Sequence, residues 1–204
     1  WELAWPALGR RLEQPIMSVS VIWGLQVLHS APLLGDLPEE PWGFNPDFKP
    51  EFPSVQRHML AACRTRKEEL LIVSGSCWLE SFRKWMHGRG EMFPARTSEF
   101  QPLVSRFAAS YIMPNGVAVK DSMWFDSDSR LRATYMVLNM GVSYASTSVT
   151  AAVEYQRQWD EFIQTLNEDA PLGSGEIWHT SRLWIRAEAE TAILGSTANT
   201  MVVS

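Results

Sequence analysis

The region from residue 147 onward constrains the fold most, because it contains two helical patterns that flank one short strand. The first helix is expected to start at Thr147 or Ser148, either of which can cap it, and to end before Pro171. A strand is expected at residues 176–181 and a second helix from Arg182 onward. The first helix places apolar side chains on one face at helical spacing, namely Ala152, Tyr155, Trp159, Phe162, Ile163 and Leu166.

The end of the second helix carries no charged residue from residue 192 to residue 204. This uncharged run is shorter than the roughly 20 apolar residues that a membrane-spanning helix needs. It fits the first part of a spanning helix, which would place the preceding domain next to a membrane. An ordinary buried C-terminal helix explains the same composition equally well, so both interpretations stay open.

Three further segments show the alternation and the β-branched and aromatic content that are typical of strands. They are residues 18–26, residues 117–125 and residues 131–144, and a polar turn at residues 126–130 joins the last two. Two neighbouring strands with a short turn predict an antiparallel hairpin. With one further strand before residue 1, the order of the elements predicts an α+β fold, a βαββαβ split sandwich that carries an insertion.

Helical patterns interrupt this order between about residue 53 and residue 112, and we interpret them as an insertion. Helices are expected at residues 55–69, 77–86 and 100–111, and residues 70–73 either end the first of them or form a short strand. A helix is also expected at residues 1–13. The proline-rich residues 31–53 are expected to form a long surface excursion without regular structure, because proline restricts φ and lacks a main-chain donor.

The composition is that of a globular domain, with 46% hydrophobic and 20% charged residues in a chain of 204 residues. A net charge of −5 argues against a nucleic-acid partner, since nucleic-acid binding needs clustered Lys and Arg. Ten Trp residues exceed ordinary usage. We expect most of them to pack in the core, while others either line an apolar ligand path or lie near a bilayer surface.

The two cysteines, Cys63 and Cys77, lie near the end of one predicted helix and at the start of the next. In an extracellular or lumenal protein we expect them to form a disulfide, which would stabilise the fold by about 3 kcal/mol. In a cytosolic protein they would be buried free thiols. Two cysteines and four scattered histidines show no metal-site spacing, so no metal is expected. The histidines are His29, His58, His87 and His179.

The sequence contains no nucleophile elbow, no metalloprotease motif and no Gly-rich phosphate loop. We therefore expect no enzymatic activity and no cofactor. A lumenal hydrolase built from Ser76, His87 and Asp121 is the enzymatic alternative, although residue type alone selects these three. Neighbouring carboxylates in the two C-terminal helices are better explained as solvated helix surfaces than as acid and base pairs. They are Asp160, Glu161, Glu188 and Glu190.

Several short motifs are spread in order over nearly the whole chain. The first are residues 19–25 (VSVIWGL), residues 42–48 (WGFNPDF), Gln56, Cys63 and residues 77–85 (CWLESFRKW). The later ones are Tyr155, Trp159, Phe162, Asn167, Ala170, Pro171, Thr180, Ser181, Trp184, Glu188 and Leu194. In the order and approximate spacing of these motifs, the chain resembles the second extracellular domain of Dispatched-type proteins. These belong to the resistance-nodulation-division (RND) superfamily, together with Patched and the Niemann-Pick type sterol transporters.

The resemblance implies a ferredoxin-like porter domain at residues 1–190, with the helical insertion at about 53–112, and the start of a transmembrane helix at residues 191–204. It implies an extracellular or lumenal, non-catalytic domain of a transporter that moves or releases lipids, sterols or lipid-modified proteins. It also implies the disulfide between Cys63 and Cys77. The expected partners are this cargo, a sister extracellular domain of the same chain, and the membrane through flanking helices. A protein-protein interaction or assembly module of a membrane protein is the main alternative.

Overall fold

A computed structural model describes residues 16–28 and residues 42–202. The predicted helix at residues 1–13, His29 and residues 31–41 of the predicted excursion lie outside the described residues. Within the described part the chain combines helices with an antiparallel sheet. The predicted α+β class is therefore confirmed.

Five strands form the main sheet and two more form a small separate hairpin. In chain order the strands are β1 (Met17–Trp23), β2 (Leu25–Val27), β3 (Trp42–Phe44), β4 (Ile72–Ser76), β5 (Met123–Phe125), β6 (Leu131–Met140) and β7 (Ile177–Thr180). Strand β1 lies in the middle and pairs with β6 on one side and with β7 on the other, both antiparallel. Strands β4 and β5 lie one after the other along the far edge of β6, also antiparallel to it. The hairpin pairs β2 with β3.

Five α-helices are found in the described part of the chain, together with two short 3-10 turns at Glu68–Leu70 and Val119–Ser122. The α-helices are α1 (Pro53–Cys63), α2 (Trp78–His87), α3 (Thr97–Ser110), α4 (Val149–Glu168) and α5 (Arg182–Val202). Alternate side chains of β1 and β6, including Val19, Val21, Met136 and Leu138, are buried in one continuous core with residues of all five helices. Helices therefore cover one face of the main sheet.

Helix α4 forms where its sequence pattern predicts a helix. The Ser148 hydroxyl accepts a hydrogen bond from the Ala151 main-chain N–H, as expected for an N-cap residue. Ala152, Trp159, Phe162 and Ile163 are buried, so the predicted apolar face is the face that packs. The prediction that residue 147 or residue 148 caps this helix is confirmed, since Ser148 is the N-cap and the helix begins at Val149.

An aromatic cluster joins α2 and α3 to the rest of the core. Phe82 is fully buried, and its ring lies within about 6 Å of four other aromatic rings. The four are Trp78, Trp85, Phe100 and Phe107. Helical spacing on α2 and α3 brings these rings to one side, so the predicted apolar stripe of α2 is confirmed as core.

Several predicted boundaries are wrong. The predicted strand at residues 117–125 is reduced to β5, because Val119–Ser122 forms a 3-10 turn that the Tyr111 carbonyl and the Ser122 hydroxyl hold. The predicted helix at residues 55–69 ends at Cys63 and the predicted strand at residues 131–144 ends at Met140. The proline-rich region is not without regular structure, since Trp42–Phe44 is a strand and Pro53 begins α1.

The alternative left open at residues 70–73 is settled in favour of a strand, because Ile72 begins β4. Strand β4 joins the main sheet, so the range 53–112 that we interpret as a helical insertion also contains one strand of the principal sheet. Helix α1 and helix α2 flank that strand. The disulfide between Cys63 and Cys77 links the end of α1 to the start of α2, and this prediction is confirmed.

The C-terminal helix α5 begins at Arg182 as predicted and continues to Val202. Among the described residues, no helix is both long enough and apolar enough to cross a membrane. The start of a transmembrane helix at residues 191–204 stays a prediction.

Candidate functional site

The face of the main sheet opposite to the core, here called the open face, is the candidate functional surface. Its side chains are those of β1, β4, β5, β6 and β7 that alternate away from the helices. The cross-strand register arranges them in three rows. The aromatic row is Trp178, Ile22 and Tyr135, together with Trp124, which lies opposite Ala133 and packs its ring diagonally against Tyr135. The middle row is Thr180, Ser20, Val137 and Ser76, and the polar row is Ser18, Asn139 and Ser74.

Hydrogen bonds between side chains hold the polar row across three strands. The Ser18 hydroxyl donates to Asn139 Oδ1 at 2.9 Å, and Asn139 Nδ2 donates to the Ser74 hydroxyl at 3.0 Å. In the middle row the Ser76 hydroxyl accepts from Asn115 Nδ2 at 3.3 Å. The polar row is therefore a connected set of uncharged donors and acceptors.

A cavity of about 300 Å³ opens on the open face between these rows and the chain that precedes β5. Ser18, Ser76 and Asn139 line it from the sheet, together with Tyr135. The rim comes from the segment after α3 and from the 3-10 turn, through Met113, Asn115, Val117 and Ser122. The cavity holds hydroxyl, carboxamide and thioether groups but no charged side chain.

The aromatic row continues from the main sheet onto the β2–β3 hairpin. The Trp178 indole N–H donates to the Leu25 carbonyl at 3.3 Å, and its ring stacks on Trp42 with centroids 5.2 Å apart and an interplanar angle of 1°. Trp124 packs against Tyr135 at 5.7 Å and keeps 41% of its surface exposed, while Trp42 keeps 48%. Exposed Trp rings thus lie at the two ends of the row, while Tyr135 and Trp178 are half-buried and Ile22 between them is buried.

The chemistry of the open face follows from its composition. None of the side chains in the three rows is charged, so covering them removes no ion from water and costs little desolvation free energy. Exposed indole and phenol rings favour contact with another apolar surface or an apolar ligand. Hydroxyl and carboxamide groups at the other end can donate to and accept from polar, uncharged groups. The face is therefore suited to packing and binding.

Trp residues are divided between the core and this surface, as the composition suggests. Trp23, Trp78, Trp159 and Trp184 are buried. Trp42 and Trp124 are exposed on the sheet and hairpin. Alternation along β1 and β6 is the signal that could have identified the surface from the sequence, but finding the aromatic row also requires the register between strands.

The three residues of the hydrolase alternative do not assemble. Ser76 lies on the open face, whereas His87 lines a different cavity, of about 700 Å³, at the end of α2 beside Arg83. Asp121 lies in the second 3-10 turn, where its main-chain carbonyl accepts from the Tyr135 hydroxyl at 3.2 Å. The structure thus places the candidate nucleophile and the candidate base in separate cavities.

The four carboxylates on α4 and α5 each contact a neighbouring side chain. Asp160 lies 2.8 Å from His179, Glu188 accepts from Gln156 at 3.1 Å, and Glu161 pairs with Arg157. Glu190 pairs with Arg186 at 3.4 Å. In the part of the chain that the structure describes, no group of three or more His, Cys, Asp or Glu residues could hold a metal ion.

His179 ties three elements together at the edge of the sheet. The Trp184 indole N–H on α5 donates to His179 Nδ1 at 3.2 Å, so Nδ1 is unprotonated and the ring carries its proton on Nε2. Nε2 then donates to Asp160 on α4 at 2.8 Å. Beside this junction a groove of about 560 Å³ runs between α4 and β7.

No protein-family model and no curated protein sequence matches this chain.

Proposed function

We propose that this chain is an extracellular or lumenal domain of an RND-type membrane transporter of the Dispatched-like kind, which moves or releases lipids, sterols or lipid-modified proteins. The observation that carries the proposal is the set of uncharged side chains on the open face, with Trp124 and Trp42 exposed at the two ends of the aromatic row. Such a face can cover an apolar cargo, or pack against a sister domain so that cargo passes between the two. The chain acts by binding and has no catalytic role.

The sheet order supports a ferredoxin-like assignment. Strands β1, β4, β6 and β7 follow the order β7, β1, β6, β4, which is the order of a βαββαβ sandwich with every neighbouring pair antiparallel. In this assignment α1 connects β1 to β4, and α4 connects β6 to β7. The insertion is then narrower than 53–112 and consists of α2, α3 and β5. No strand before residue 1 is needed.

The disulfide supports an extracellular or lumenal location. Cys63 and Cys77 are bonded with their Cα atoms 5.9 Å apart. Disulfides persist in oxidising compartments and are rare in the cytosol. The location in turn supports a domain that receives cargo outside the cytosol.

The proposal is tested in the full-length parent protein, expressed in cells loaded with a fluorescent sterol. We expect efflux that depends on the protein and falls when the Na⁺ gradient is collapsed. Trp124→Arg places an unpaired charge in the aromatic row, and we expect it to lower the efflux rate at least about tenfold. Leu172→Arg is the matched control, since Leu172 is 90% exposed and lies outside the open face.

Two results would contradict the proposal. One is sterol efflux that does not differ between cells with and without the protein, provided that the protein is present at the membrane. The other is equal efflux from the Trp124→Arg variant, the Leu172→Arg variant and the unaltered protein at equal abundance.

An assembly module is the second candidate function, and the β2–β3 hairpin favours it. Val27 is 61% exposed, and Leu28, Trp42 and Phe44 add further exposed apolar surface around it. Such a patch is typical of a protein-protein contact. The substitution Val27→Asp distinguishes this function from transport. Loss of co-purification of a partner with unchanged sterol efflux would favour the assembly module.

A further inference from the structure

Strand β7 is an edge strand whose outer side faces a groove. It pairs with β1 on its inner side only. The groove on its outer side has a volume of about 560 Å³ and lies between the strand and the second half of α4. An exposed sheet edge is the place where an extended peptide can add to a sheet as a further strand.

At the start of β7, the Asn167 side chain takes the place of a neighbouring strand. Its Nδ2 donates to the Ile177 carbonyl at 2.8 Å, and its Oδ1 accepts from the Ile177 main-chain N–H at 2.9 Å. One side-chain carboxamide thus makes both hydrogen bonds that the main chain of an adjacent strand would make. The outer edge of β7 is therefore shaped for a peptide group.

Main-chain groups of β7 point alternately toward β1 and toward the groove, and His179 is the next residue after Ile177 whose groups point toward the groove. Because Ile177 directs its N–H and C=O outward, His179 does so too, while Trp178 and Thr180 face β1. Among the described residues, no hydrogen bond reaches the main-chain N–H or C=O of His179. An extended segment lying in the groove would satisfy both groups.

The negative charge of the groove indicates which kind of peptide segment it can bind. Asp160, Glu168 and Glu176 line it, and no Lys or Arg does. Asp160 is hydrogen-bonded to His179, whereas Glu168 and Glu176 have no cationic partner among the described residues. Basic side chains that alternate along an extended segment would face these carboxylates.

We infer that the groove between α4 and β7 binds an extended, basic segment of a partner protein by strand addition at His179. The segment is short, because Ser181 ends the strand and caps α5 through its hydroxyl, which accepts from the Leu183 N–H. Trp178 and Gln164 also line the groove that the segment would enter. This inference does not depend on the transport proposal, because it rests on the outer edge of β7 and on the carboxylates of the groove, and only Trp178 belongs to both surfaces.

The test uses the 204-residue chain and a short acetylated and amidated peptide in which lysine alternates with valine. Two further versions carry N-methyl groups, one on every odd amide and the other on every even amide. Strand addition uses the amides of one parity only. We expect one methylated version to bind at least about tenfold more weakly and the other to bind nearly as well as the parent peptide. The amide signals of Ile177 and His179 should shift on binding.

Protein variants test the charge argument without altering the strand. Glu168→Gln combined with Glu176→Gln should weaken binding of the lysine peptide by about 2- to 10-fold and reduce its salt dependence. Glu91→Gln combined with Glu99→Gln removes the same charge from exposed positions elsewhere and should leave binding unchanged. A glutamate version of the peptide should not bind.

Three outcomes would overturn the inference. Equal loss of binding in both methylated versions, or in neither, would exclude strand addition. Shifted amide signals away from β7 and α4 would place the peptide elsewhere. Dimerisation of the chain alone that protects the His179 amide would make a second copy of this chain the occupant.

Discussion

Gln56 shows how much depends on single buried polar residues in this domain. Its side chain is fully buried, and its carboxamide accepts from the Ala95 main-chain N–H at 2.8 Å and donates to the Ala95 carbonyl at 3.1 Å. Helix α1 thereby holds the segment before α3 by a pair of hydrogen bonds that water cannot replace. Leucine at this position would leave both groups of Ala95 buried and unpaired.

We expect Gln56→Leu to lower the free energy of unfolding by about 2 to 4 kcal/mol. Urea denaturation monitored by Trp fluorescence measures this change. Gln158→Leu is the matched control, because among the described residues Gln158 bonds only Glu154, on the surface of α4, and its effect should stay within about 0.5 kcal/mol. Equal effects of the two substitutions would show that the Ala95 contacts do not matter.

His58 makes stability depend on pH. Burial lowers the pKa of His58 from its ordinary value of 6.5, and the Leu166 carbonyl and the Asp169 carboxylate only partly oppose this. The unfolded chain therefore binds the His58 proton more tightly than the folded chain does. Stability that is complete above pH 6.5 is lost as the pH falls from there toward the lowered pKa of the folded state.

Removing the imidazole should reduce this pH dependence. We expect His58→Gln to lose less stability than the unaltered chain when the pH is lowered from about 7 to about 5. His87→Gln, at an exposed position on α2, should leave the original dependence in place. Urea midpoints across this range measure it, and parallel pH profiles for the His58→Gln variant and the unaltered chain would refute the assignment.

At the scale of elements, the edge of β7 depends on α4 as well as on β1. The two hydrogen bonds between Asn167 and Ile177 close the outer side of the strand where it begins. We expect Asn167→Ala to destabilise the domain by about 1 to 3 kcal/mol, because it leaves the Ile177 N–H and C=O unpaired. Hydrogen exchange at the Ile177 amide should become faster.

Asn139→Ala is the matched control for this substitution. The Asn139 carboxamide bonds Ser18 and Ser74, whose hydroxyls reach water on the open face, so its loss should cost less than about 1 kcal/mol. An equal cost of the two substitutions, with unchanged exchange at Ile177, would contradict the role of Asn167.

At the scale of the whole molecule, the disulfide closes the segment that contains β4, between the end of α1 and the start of α2. Cys63 and Cys77 are 14 residues apart, and β4 lies between them. Closing a loop of this length removes entropy from the unfolded chain that is worth about 3 kcal/mol. We therefore expect dithiothreitol to lower the free energy of unfolding by about this amount.

Replacing both cysteines by alanine separates this effect from others. The double variant should be less stable than the oxidised chain and should not respond to dithiothreitol. Guanidinium denaturation with and without the reductant measures both quantities. If the reductant destabilised the double variant as much as the unaltered chain, the disulfide could not be the cause.

Local sequence pattern was sufficient to predict those elements that their own side chains specify through capping, helical spacing or alternation. The apolar spacing of α4 and its Ser148 cap predicted both the helix and the face that is buried. Alternation predicted β1 and β6, which lie at the centre of the sheet. Alternation failed at residues 119–122, where it predicted a strand. There the Tyr111 carbonyl, just after α3, accepts a hydrogen bond from the Val119 N–H and helps to hold the chain in a 3-10 turn.

The open face and the β7 groove could not be read from local pattern. Alternation shows which residues of one strand share a face, but it does not show which strand lies beside it or in which register. Trp178, Ile22 and Tyr135 come from three distant segments and become one aromatic row only when β7, β1 and β6 pair. Local spacing acts over a few residues, whereas these surfaces depend on hydrogen bonds between strands far apart in the chain, and only the folded arrangement of those strands determines them.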